Sequence, residues 1–466
     1  MQKALRNTLI GAGALAAAIT ASVVLTTGPK VYTQGTGSGN LIVDGNQIGA
    51  KSGDTIKIKG GKYSSITIQN INPTGGVVTI IDSGLVELTG NGNYMTLANI
   101  SNATITGTGT AGNNQGFSLH DANYRPMRWS GVFHNVQIDH FLFKNTGDYT
   151  ISWDFTNTVY KDSSTAYSDI HILNCEFANI GGMINLDGGI QNNQVTGLIN
   201  RLEIGYCNLH DASPGDFFSV EMAQDYNIHD NYGNNLNTTN NNDNGIFHIQ
   251  GIGKFYNNFF TNIQGHCIRA WTVTVGTTPK TEAIYNNIVY NTRKYSLSEV
   301  QGFQNFLISG KTTYGNAIVY NNTAGNLNLS HDFVGGIVDV YGLFGGTCNV
   351  NNNLAFNTYP ANSIANQEYT TVPVLSGNNY QATWKTAVKD TVNFVSLFKG
   401  VGASLNSSVI IPPPPPINTG GNTNTGSTST TIHDTIRIHD TVSIAGKSVG
   451  TYTLTVSKDT LTLKKQ

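Results

Sequence analysis

The chain has 466 residues, of which 12% are charged, and its formal net charge is −2. This composition excludes a nucleic-acid partner, because phosphate binding requires clustered Lys and Arg. Only four cysteines occur, which excludes a disulfide-dense scaffold in a chain of this length.

The N-terminus has the pattern of a secretory signal peptide. Lys3 and Arg6 form a positively charged region, and an uncharged apolar stretch follows over 9–25. We predict a signal peptide over 1–27, with cleavage near Ala21. The mature protein would then be secreted or held at the cell surface, with no membrane span. The alternative is an uncleaved signal anchor, because about 20 uncharged residues could span a bilayer.

An eight-residue unit recurs through the middle of the chain at intervals of roughly 30 residues, a range typical of stacked repeat proteins. The copies are IDHFLFKN (138–145), ILNCEFAN (172–179), IGYCNLHD (204–211), IHDNYGNN (228–235), FYNNFFTN (255–262), IYNNIVYN (284–291), VYNNTAGN (319–326) and VNNNLAFN (350–357). In every copy the first residue is apolar and the eighth is Asn or Asp. Asn and Asp tolerate the left-handed turn conformation, and the 3.6-residue period of a helix is missing. Each unit therefore predicts a short strand that ends in a turn.

Short strands without helical spacers predict a coil in which each turn stacks on the next at about 4.8 Å. The connections between its parallel strands should be right-handed. Equivalent positions then form rows along the coil, and we expect the asparagines at position four to hydrogen-bond along their row. The residues at position four are Phe141, Cys175, Cys207, Asn231, Asn258, Asn287, Asn322 and Asn353.

Two cysteines occupy this position in consecutive copies, Cys175 and Cys207. A Cα separation of about 4.8 Å would permit a disulfide between them. The alternative is a pair of buried free thiols that continues the row. Cys267 and Cys348 have no evident partner in the sequence.

Two further segments carry a family resemblance: GDTIKIKGGKYSSITIQNINPTGGVVTI at 53–80 and TLANISNATITGTGTAGNNQGFSL at 96–119. Together with the repeats, they resemble the turns of secreted, pectin-lyase-like right-handed parallel β-helix proteins. The resemblance implies an all-β fold, a right-handed single-stranded parallel β-helix (solenoid), over 28–360. It implies no single activity, because this superfamily contains lyases, hydrolases, epimerases and non-catalytic surface proteins.

Beyond residue 360 the repeat is lost, and three further segments are predicted. Residues 361–411 are expected to form a terminal cap region over the last turn. Residues 412–431, which begin with a run of prolines, form a Pro/Gly/Thr/Ser-rich linker. Residues 432–466 form a small C-terminal β tail, in which 451–456 and 460–465 are predicted to pair as a hairpin. This tail resembles the β-sandwich sorting tails that attach exported proteins to a cell surface.

Enzymes of the family that this chain resembles bind extended polymers on the outer face of a parallel sheet, where side chains of successive turns line a groove. After each repeat unit a second strand is predicted, in which inward apolar residues alternate with outward polar ones. The alternation directs one charged side chain per turn to the outer face over five turns. These residues are Asp154, Asp187, Glu221, His248 and Arg269.

Two cleavage chemistries would use this stripe of charges. Stacked carboxylates cannot all ionise freely, so Asp187 with Glu221 could supply the acid that hydrolyses a glycosidic bond. Alternatively, Asp154, Asp187 and Glu221 could hold Ca²⁺ through oxygen ligands. Resemblance to pectate lyases then implies that the ion acidifies the C5 proton of a uronate, with Arg269 or His248 as the base. The third interpretation is a solvated sheet face without catalysis.

Two tryptophans are candidates for contact with sugar rings. Trp271 points outward from its strand. Trp129 lies in an insert over 122–134 that, together with 155–167, is expected to wall the groove. The sequence thus predicts an exported polysaccharide-active protein that cleaves a glycan as a lyase or a hydrolase. The alternative is a non-catalytic carbohydrate-binding or adhesive surface protein.

Overall fold

The computed structural model describes residues 28–153, 157–186, 188–239, 245–302, 307–308, 311–312, 314–331, 333–343, 345–368, 371–405, 452–457 and 460–465. The predicted signal segment, the predicted linker and most of the predicted tail lie outside the described residues. Within the described residues no helix has both the length and the apolar character needed to cross a membrane.

Strands account for most of the described chain. As far as residue 229 they are β1 (Val31–Gln34), β2 (Ser38–Asp44), β3 (Thr55–Ile71), β4 (Val78–Thr89), β5 (Tyr94–Thr106), β6 (Phe117–Ala122), β7 (Met127–Asp139), β8 (Phe141–Trp153), β9 (Tyr167–Leu173), β10 (Glu176–Leu186), β11 (Gly189–Gln191), β12 (Gln194–Thr196), β13 (Ile199–Gly205), β14 (Asn208–Ala212) and β15 (Phe218–His229).

After residue 229 the strands are shorter. They are β16 (Tyr232–Leu236), β17 (Gly245–Tyr256), β18 (Phe259–Ile263), β19 (His266–Thr272), β20 (Thr281–Tyr285), β21 (Ile288–Thr292), β22 (Ser298–Gly302), β23 (Leu307–Ile308), β24 (Lys311–Thr312), β25 (Asn316–Tyr320), β26 (Thr323–Leu327), β27 (Val338–Tyr341), β28 (Cys348–Asn351), β29 (Leu354–Thr358), β30 (Ala365–Glu368), β31 (Val374–Ser376), β32 (Asn379–Gln381), β33 (Tyr452–Ser457) and β34 (Thr460–Lys465). The helices of the described residues are single turns: α1 (Gly45–Ile48), α2 (Trp384–Ala387) and a 3₁₀ turn (Ser163–Thr165).

The strands of successive turns pair in parallel and form three columns. Column one contains β9, β13, the second halves of β15 and β17, β20, β25, β28 and β31. Column two contains β6, β8, the start of β10, β14, β16, β18, β21, β26, β29 and β32. Column three contains the ends of β8 and β10, the first halves of β15 and β17, β19, β22, β27 and β30. The predicted all-β fold with parallel strands is confirmed.

The turns between the columns use the residue types that the repeat supplies. The eighth residue of every repeat unit has a positive φ, between 48° and 63°. Asn and Asp reach this left-handed region at lower cost than other residues with a side chain. The structure places these residues at the end of each column-two strand: Asn145, Asn179, Asp211, Asn235, Asn262, Asn291, Asn326 and Asn357.

The asparagines at position four are fully buried and hydrogen-bonded to each other. Asn258 donates through Nδ2 and through its backbone N–H to Oδ1 of Asn287, both at 3.0 Å. Asn287 donates in the same way to Asn322 at 2.9 and 3.0 Å. Each Nδ2 also reaches a carbonyl of the preceding turn, as Asn287 does with Phe255 O at 3.0 Å. The amides thereby satisfy groups whose burial would otherwise be costly. We call Asn231, Asn258, Asn287, Asn322, Asn353 and Asn378 the asparagine row.

The stack extends one turn beyond residue 360, which corrects the predicted boundary. Strands β30, β31 and β32 pair in parallel with β27, β28 and β29. Their sequence lacks the polar eighth residue of the repeat, and this is why the turn was missed. Asn378 accepts from Asn353 Nδ2 at 2.9 Å and so closes the asparagine row.

The rest of the predicted cap packs along the side of the stack. Phe394 and Val388 form a small core with Phe259, Leu354 and other residues of column two. Further on, Gly402 N–H donates to the carbonyl of Asn352 at 2.8 Å. This segment therefore covers the outer surface of column two over several turns.

The insert predicted over 122–134 is mostly strand. Strand β7 begins at Met127, and Trp129 pairs with Trp153 of β8. Both tryptophans belong to the main hydrophobic core, their ring centroids being 4.7 Å apart. The insert thus adds a strand to the stack and does not form a wall of the groove.

All four cysteines are buried free thiols, so Cys175 and Cys207 follow the second of the two alternatives given for them. Strands β33 and β34 pair antiparallel from Tyr452–Lys465 to Ser457–Thr460, as predicted for the end of the tail.

Candidate functional site

Column three carries a row of ionisable side chains on its outer face. The strand register aligns Ser219 with His248 and His248 with Arg269. The next two rungs add Glu299 and Asp339. Their neighbours along each strand, Ile249, Ala270, Val300 and Val340, point into the core. Because side chains alternate along a strand, the ionisable residues lie on the opposite face. We call His248, Arg269, Glu299 and Asp339 the charged row.

Glu299 is the centre of this row. Its Oε1 accepts hydrogen bonds from Arg269 Nε at 3.2 Å and from Trp271 Nε1 at 2.9 Å. His266 Nε2 lies 3.6 Å from its Oε2. Burial acts to raise the pKa of Glu299, but the charges of His266 and Arg269 and the two hydrogen bonds lower it below its ordinary value. Glu299 is therefore an ionised carboxylate that fixes its neighbours in place.

Trp271 lies two residues beyond Arg269 on β19 and contacts two members of the charged row. Its ring centroid lies 4.1 Å from that of His248, with the planes at 74°. The guanidinium carbon of Arg269 lies 5.4 Å from the Trp271 ring centroid. Cation–π contact of this kind is favourable within about 6 Å. His248, Arg269 and Trp271, all partly exposed, form one packed group held by Glu299.

Glu221 lies at a β-bulge beside this group. Val220 pairs with Ile249 and Ala223 with Gly251, so that Glu221 and Met222 together oppose a single residue of β17, Gln250. Bulges next to functional sites redirect a side chain. Here Met222 has φ +58° and is buried in a small core. That core also contains Ala166, Val195, Leu198 and Val273.

Gln250, opposite the bulge, has a side-chain hydrogen-bond acceptor without a donor in the described part of the chain. Its residue exposure is 5%, and its Oε1 accepts no hydrogen bond from any described residue. Leaving a buried acceptor unpaired costs about 1–3 kcal/mol. The Cα partner of Gln250 on the next rung is Trp271. A hydrogen-bond donor on a ligand at Trp271 would relieve this cost.

Three of the five residues of the predicted stripe, Glu221, His248 and Arg269, lie in the described part of the chain. Asp154 and Asp187 lie outside the described residues. His248 and Arg269 are Cα partners, but the residue opposite His248 on β15 is Ser219. Glu221 instead lies in the neighbouring row, next to Gln250. The register differs from the prediction because Glu221 lies two residues beyond Ser219 on β15, just as Gln250 lies two residues beyond His248 on β17. Glu221 is therefore in the row of Gln250 and Trp271.

The two tryptophans predicted to contact sugar rings differ in exposure. Trp271 is partly exposed, but Trp129 is completely buried. Trp129 is therefore corrected from a substrate contact to a core residue, since its ring packs between other aromatic rings. Of the calcium ligands predicted at Asp154, Asp187 and Glu221, only Glu221 is described. No group of three or more His, Cys, Asp or Glu side chains among the described residues is arranged to hold a metal.

Sequence reasoning missed Glu299 and His266, although a signal for Glu299 was present. The run Glu299-Val300-Gln301-Gly302 has the same pattern as His248-Ile249-Gln250-Gly251. Comparison of the two runs would have placed Glu299 in the charged row. His266 begins its strand without a matching residue in other turns, so no periodic signal could reveal it.

Among solved structures, the chain is similar to a PL6 family polysaccharide lyase from Pseudopedobacter saltans, with 10% identity, a TM-score of 0.41, and coverage of 78% of this chain and 97% of that one. For a PL6 family alginate lyase the identity is 14%, the TM-score 0.37, and the coverage 78% and 56%. For the A-module of a mannuronan C-5 epimerase from Azotobacter vinelandii the values are 12%, 0.25, and 71% and 91%. No protein-family model and no curated protein sequence matches the chain. Because these TM-scores are low, the likenesses assign no activity to this chain.

Proposed function

We propose that this chain is an exported right-handed single-stranded parallel β-helix, of the pectin-lyase-like kind, that cleaves a polysaccharide along the charged row. Parallel pairing in three columns supports the coil, and parallel crossovers are almost always right-handed. A row of outward side chains repeated at about 4.8 Å matches an extended polymer better than a compact ligand. The substrate would lie across successive rungs of column three.

The ionisation state of Glu299 decides between hydrolysis and elimination. A hydrolase needs a carboxylic acid with a raised pKa to protonate the leaving oxygen. The pKa of Glu299 is lowered instead, and its residue exposure is 6%. Glu299 thus serves to orient Arg269 and Trp271, which reach further toward solvent. This favours elimination by Arg269 and His248 over hydrolysis by Glu299.

The proposed reaction is β-elimination from a uronate residue. A guanidinium has five N–H donors, so Arg269 held at Nε can also bind the carboxylate of the substrate. Binding there stabilises the charge that develops when the C5 proton is removed. The imidazole of His248, on the adjacent rung, takes this proton. The C4–O bond then breaks, a C4–C5 double bond forms, and the leaving oxygen is protonated by the imidazolium.

Calcium would supply the same charge stabilisation if Asp154, Asp187 and Glu221 hold it as the sequence predicts. Oxygen ligands of this kind suit the ion. The Gln250 carbonyl oxygen beside Glu221 fits the same donor set. Arg269 and His248 would keep their positions in either case.

Incubation of the full chain with uronate polymers and with neutral polymers tests the proposal. We expect new ultraviolet absorbance from unsaturated ends with at least one uronate polymer and with no neutral polymer. New reducing ends without absorbance would overturn elimination and point to hydrolysis near Glu221. Binding of a polymer by the chain without cleavage of that polymer would favour the non-catalytic carbohydrate-binding alternative. Repeating the assay with a chelator separates calcium-assisted elimination, which would stop, from elimination by Arg269 alone.

A further inference from the structure

A second groove lies at the bend of β15 and β17, in column one and apart from the charged row. Its volume is about 510 Å³. The bulge at Met222 lies between the two sites. The groove is lined chiefly by Arg201, Asp225, Tyr226, Gly253, Lys254 and Lys280.

The floor of this groove is fixed by a buried carboxylate. Tyr226 OH donates to Glu282 Oε1 at 2.6 Å, and Gly253 N–H donates to Oε2 at 2.7 Å. Glu282 has no exposed surface. A Cβ on Gly253 would lie 2.3 Å from the Tyr226 ring, so only glycine permits this packing. The floor therefore has one defined shape.

The rim carries three of the chain's 26 Lys and Arg residues. Arg201 pairs with Asp169 at 2.7 Å, and Lys280 pairs with Asp225 at 2.7 Å. Lys254 makes no ion pair with any residue in the described part of the chain. Three cations against two carboxylates leave one excess positive charge at the rim, which the Glu282 carboxyl in the floor offsets when that group is ionised.

The backbone at Arg201 supports a role for this charge. Arg201 has φ +56°, and it stacks between Asp169 and Asp225, which have φ +54° and +55°. Other turns place Asn at this corner, as at Asn135 with φ +52°. Asn and Asp enter the left-handed region more readily than Arg. The sequence thus uses a less favourable residue where a cation projects to the groove.

The ion pairs at the rim are open to exchange. The Arg201 and Lys280 side chains are 54% and 40% exposed. Exposed ion pairs contribute little to stability, so a ligand carboxylate can join or displace an aspartate at small cost. Asn227 and Thr281, which also line the groove, offer an amide and a hydroxyl to sugar hydroxyl groups.

We propose that this groove is a second binding site for an acidic saccharide, which binds the carboxylate of a uronate residue between Arg201, Lys254 and Lys280. The identity of the polymer rests on the proposed function. Binding itself does not, since it uses no residue of the charged row. The groove would hold a polymer on the enzyme while the charged row acts elsewhere on the chain.

Calorimetric titration tests the groove with short probes. The full chain carrying Arg269→Lys, to slow cleavage, is titrated with trisaccharides of galacturonate, guluronate and mannuronate, and with neutral galactotriose. We expect one uronate trisaccharide to bind and galactotriose not to bind. Adding Lys254→Ala and Lys280→Ala should weaken that binding at least tenfold. The control Lys62→Ala, whose side chain is 71% exposed at the other end of the stack, should leave it unchanged.

The outcomes separate the groove from the charged row. The proposal that the groove binds an acidic saccharide would be overturned by either of two results. One is unchanged affinity of the Lys254→Ala/Lys280→Ala variant for the uronate trisaccharide, and the other is that no uronate trisaccharide binds. Groove binding without cleavage of any polymer by the wild type would overturn the proposed function and leave the groove standing. Cleavage of a trisaccharide at the wild-type rate by the double-lysine variant is expected if both proposals hold.

Discussion

The asparagine row and the charged row are built on the same turns of the chain but differ in every chemical respect. The asparagine row repeats one uncharged residue, as at Asn258 and Asn287, and each amide is satisfied by the next. The charged row changes residue at every rung, from His248 to Arg269 to Glu299. Arg269 and Glu299 form an ion pair, and Trp271 contacts both His248 and Arg269.

This difference separates stability from function. A buried row that must pair with itself gains from repetition, because each added copy satisfies the one before it. A site that binds and transforms a substrate needs unlike groups at fixed distances. Periodicity therefore indicates structure in this chain, and a break in periodicity on the outer face indicates a candidate site.

The largest expected effect is on activity and comes from Arg269→Lys. Lysine keeps the positive charge beside Glu299 but lacks the planar fork that can hold Glu299 and a substrate carboxylate together. We expect uronate cleavage to fall about 100-fold or more, in the range found when one transition-state donor is removed. The melting temperature should change little. Initial rates of ultraviolet absorbance measure the effect, with Lys62→Ala as the control. Wild-type activity in Arg269→Lys would show that the charged row does not take part in cleavage.

A second prediction concerns Glu282, an ionisable residue outside the charged row. Burial raises the pKa of Glu282 to about 7, although hydrogen bonds from Tyr226 and Gly253 act to lower it. A raised pKa gives stability that is present below about pH 4.5 and is lost as the pH rises through about 7. The shift corresponds to roughly 3 kcal/mol.

Urea unfolding of the wild type and Glu282→Gln at pH 4.5 and pH 8 measures this contribution. The free energy of unfolding of the wild type should decrease by about 3 kcal/mol more than that of the variant over this range. Activity at a single pH should follow the folded fraction only. Parallel pH profiles for the two proteins would contradict the assignment.

The sequence predicts the stack well because its signals are local and repeated. An apolar first residue and a left-handed eighth residue recur in each unit, as at Ile284 and Asn291. The extra turn at 365–381 was not predicted because its unit lacks the polar eighth residue, although Asn378 keeps the position-four asparagine. Repetition thus reveals a turn only where the whole unit is retained.

The candidate site is less predictable because it depends on register between turns. Loops of different length separate Glu221, His248 and Arg269, so no fixed spacing shows which outward residues of successive strands align. The strand pairing aligns His248 with Ser219 and puts Glu221 in the neighbouring row. His266 reaches Glu299 from the beginning of a strand, a contact that exists only in three dimensions.

A third prediction compares two asparagines of one turn. Asn287→Leu should lower the free energy of unfolding by roughly 1–3 kcal/mol, because buried neighbours such as Asn258 lose their acceptor. Asn291→Gly is the matched control, since glycine adopts the left-handed conformation that Asn291 has, with φ +63°. It removes the hydrogen bonds of Asn291 with Asn262 and Asn326, which lie closer to solvent than those of the buried row, so the control should cost less than about 1 kcal/mol. Equal effects of the two substitutions in urea unfolding would contradict a special role for the buried row.

The smallest expected effect comes from extending the asparagine row. Cys207 occupies the row position one turn before Asn231, and its N–H already donates to Asn231 Oδ1 at 3.0 Å. Its Sγ lies 3.6 Å from the carbonyl of Ile172. That carbonyl is the equivalent of the one that Asn231 Nδ2 reaches at Ile204, at 3.0 Å. In Cys207→Asn, the new amide would find both of the partners that other row members use.

We therefore expect Cys207→Asn to stay within about 1 kcal/mol of the wild type in urea unfolding, since the new Nδ2 is paired with Asn231 and with Ile172. Cys267→Asn is the matched control, because Cys267 is fully buried but lies in column three, outside the row. There the amide would be buried without the row's partners, and a loss of about 1–3 kcal/mol is expected. A similar loss in both variants would mean that burial alone, and not the row of partners, decides where asparagine is tolerated in this core.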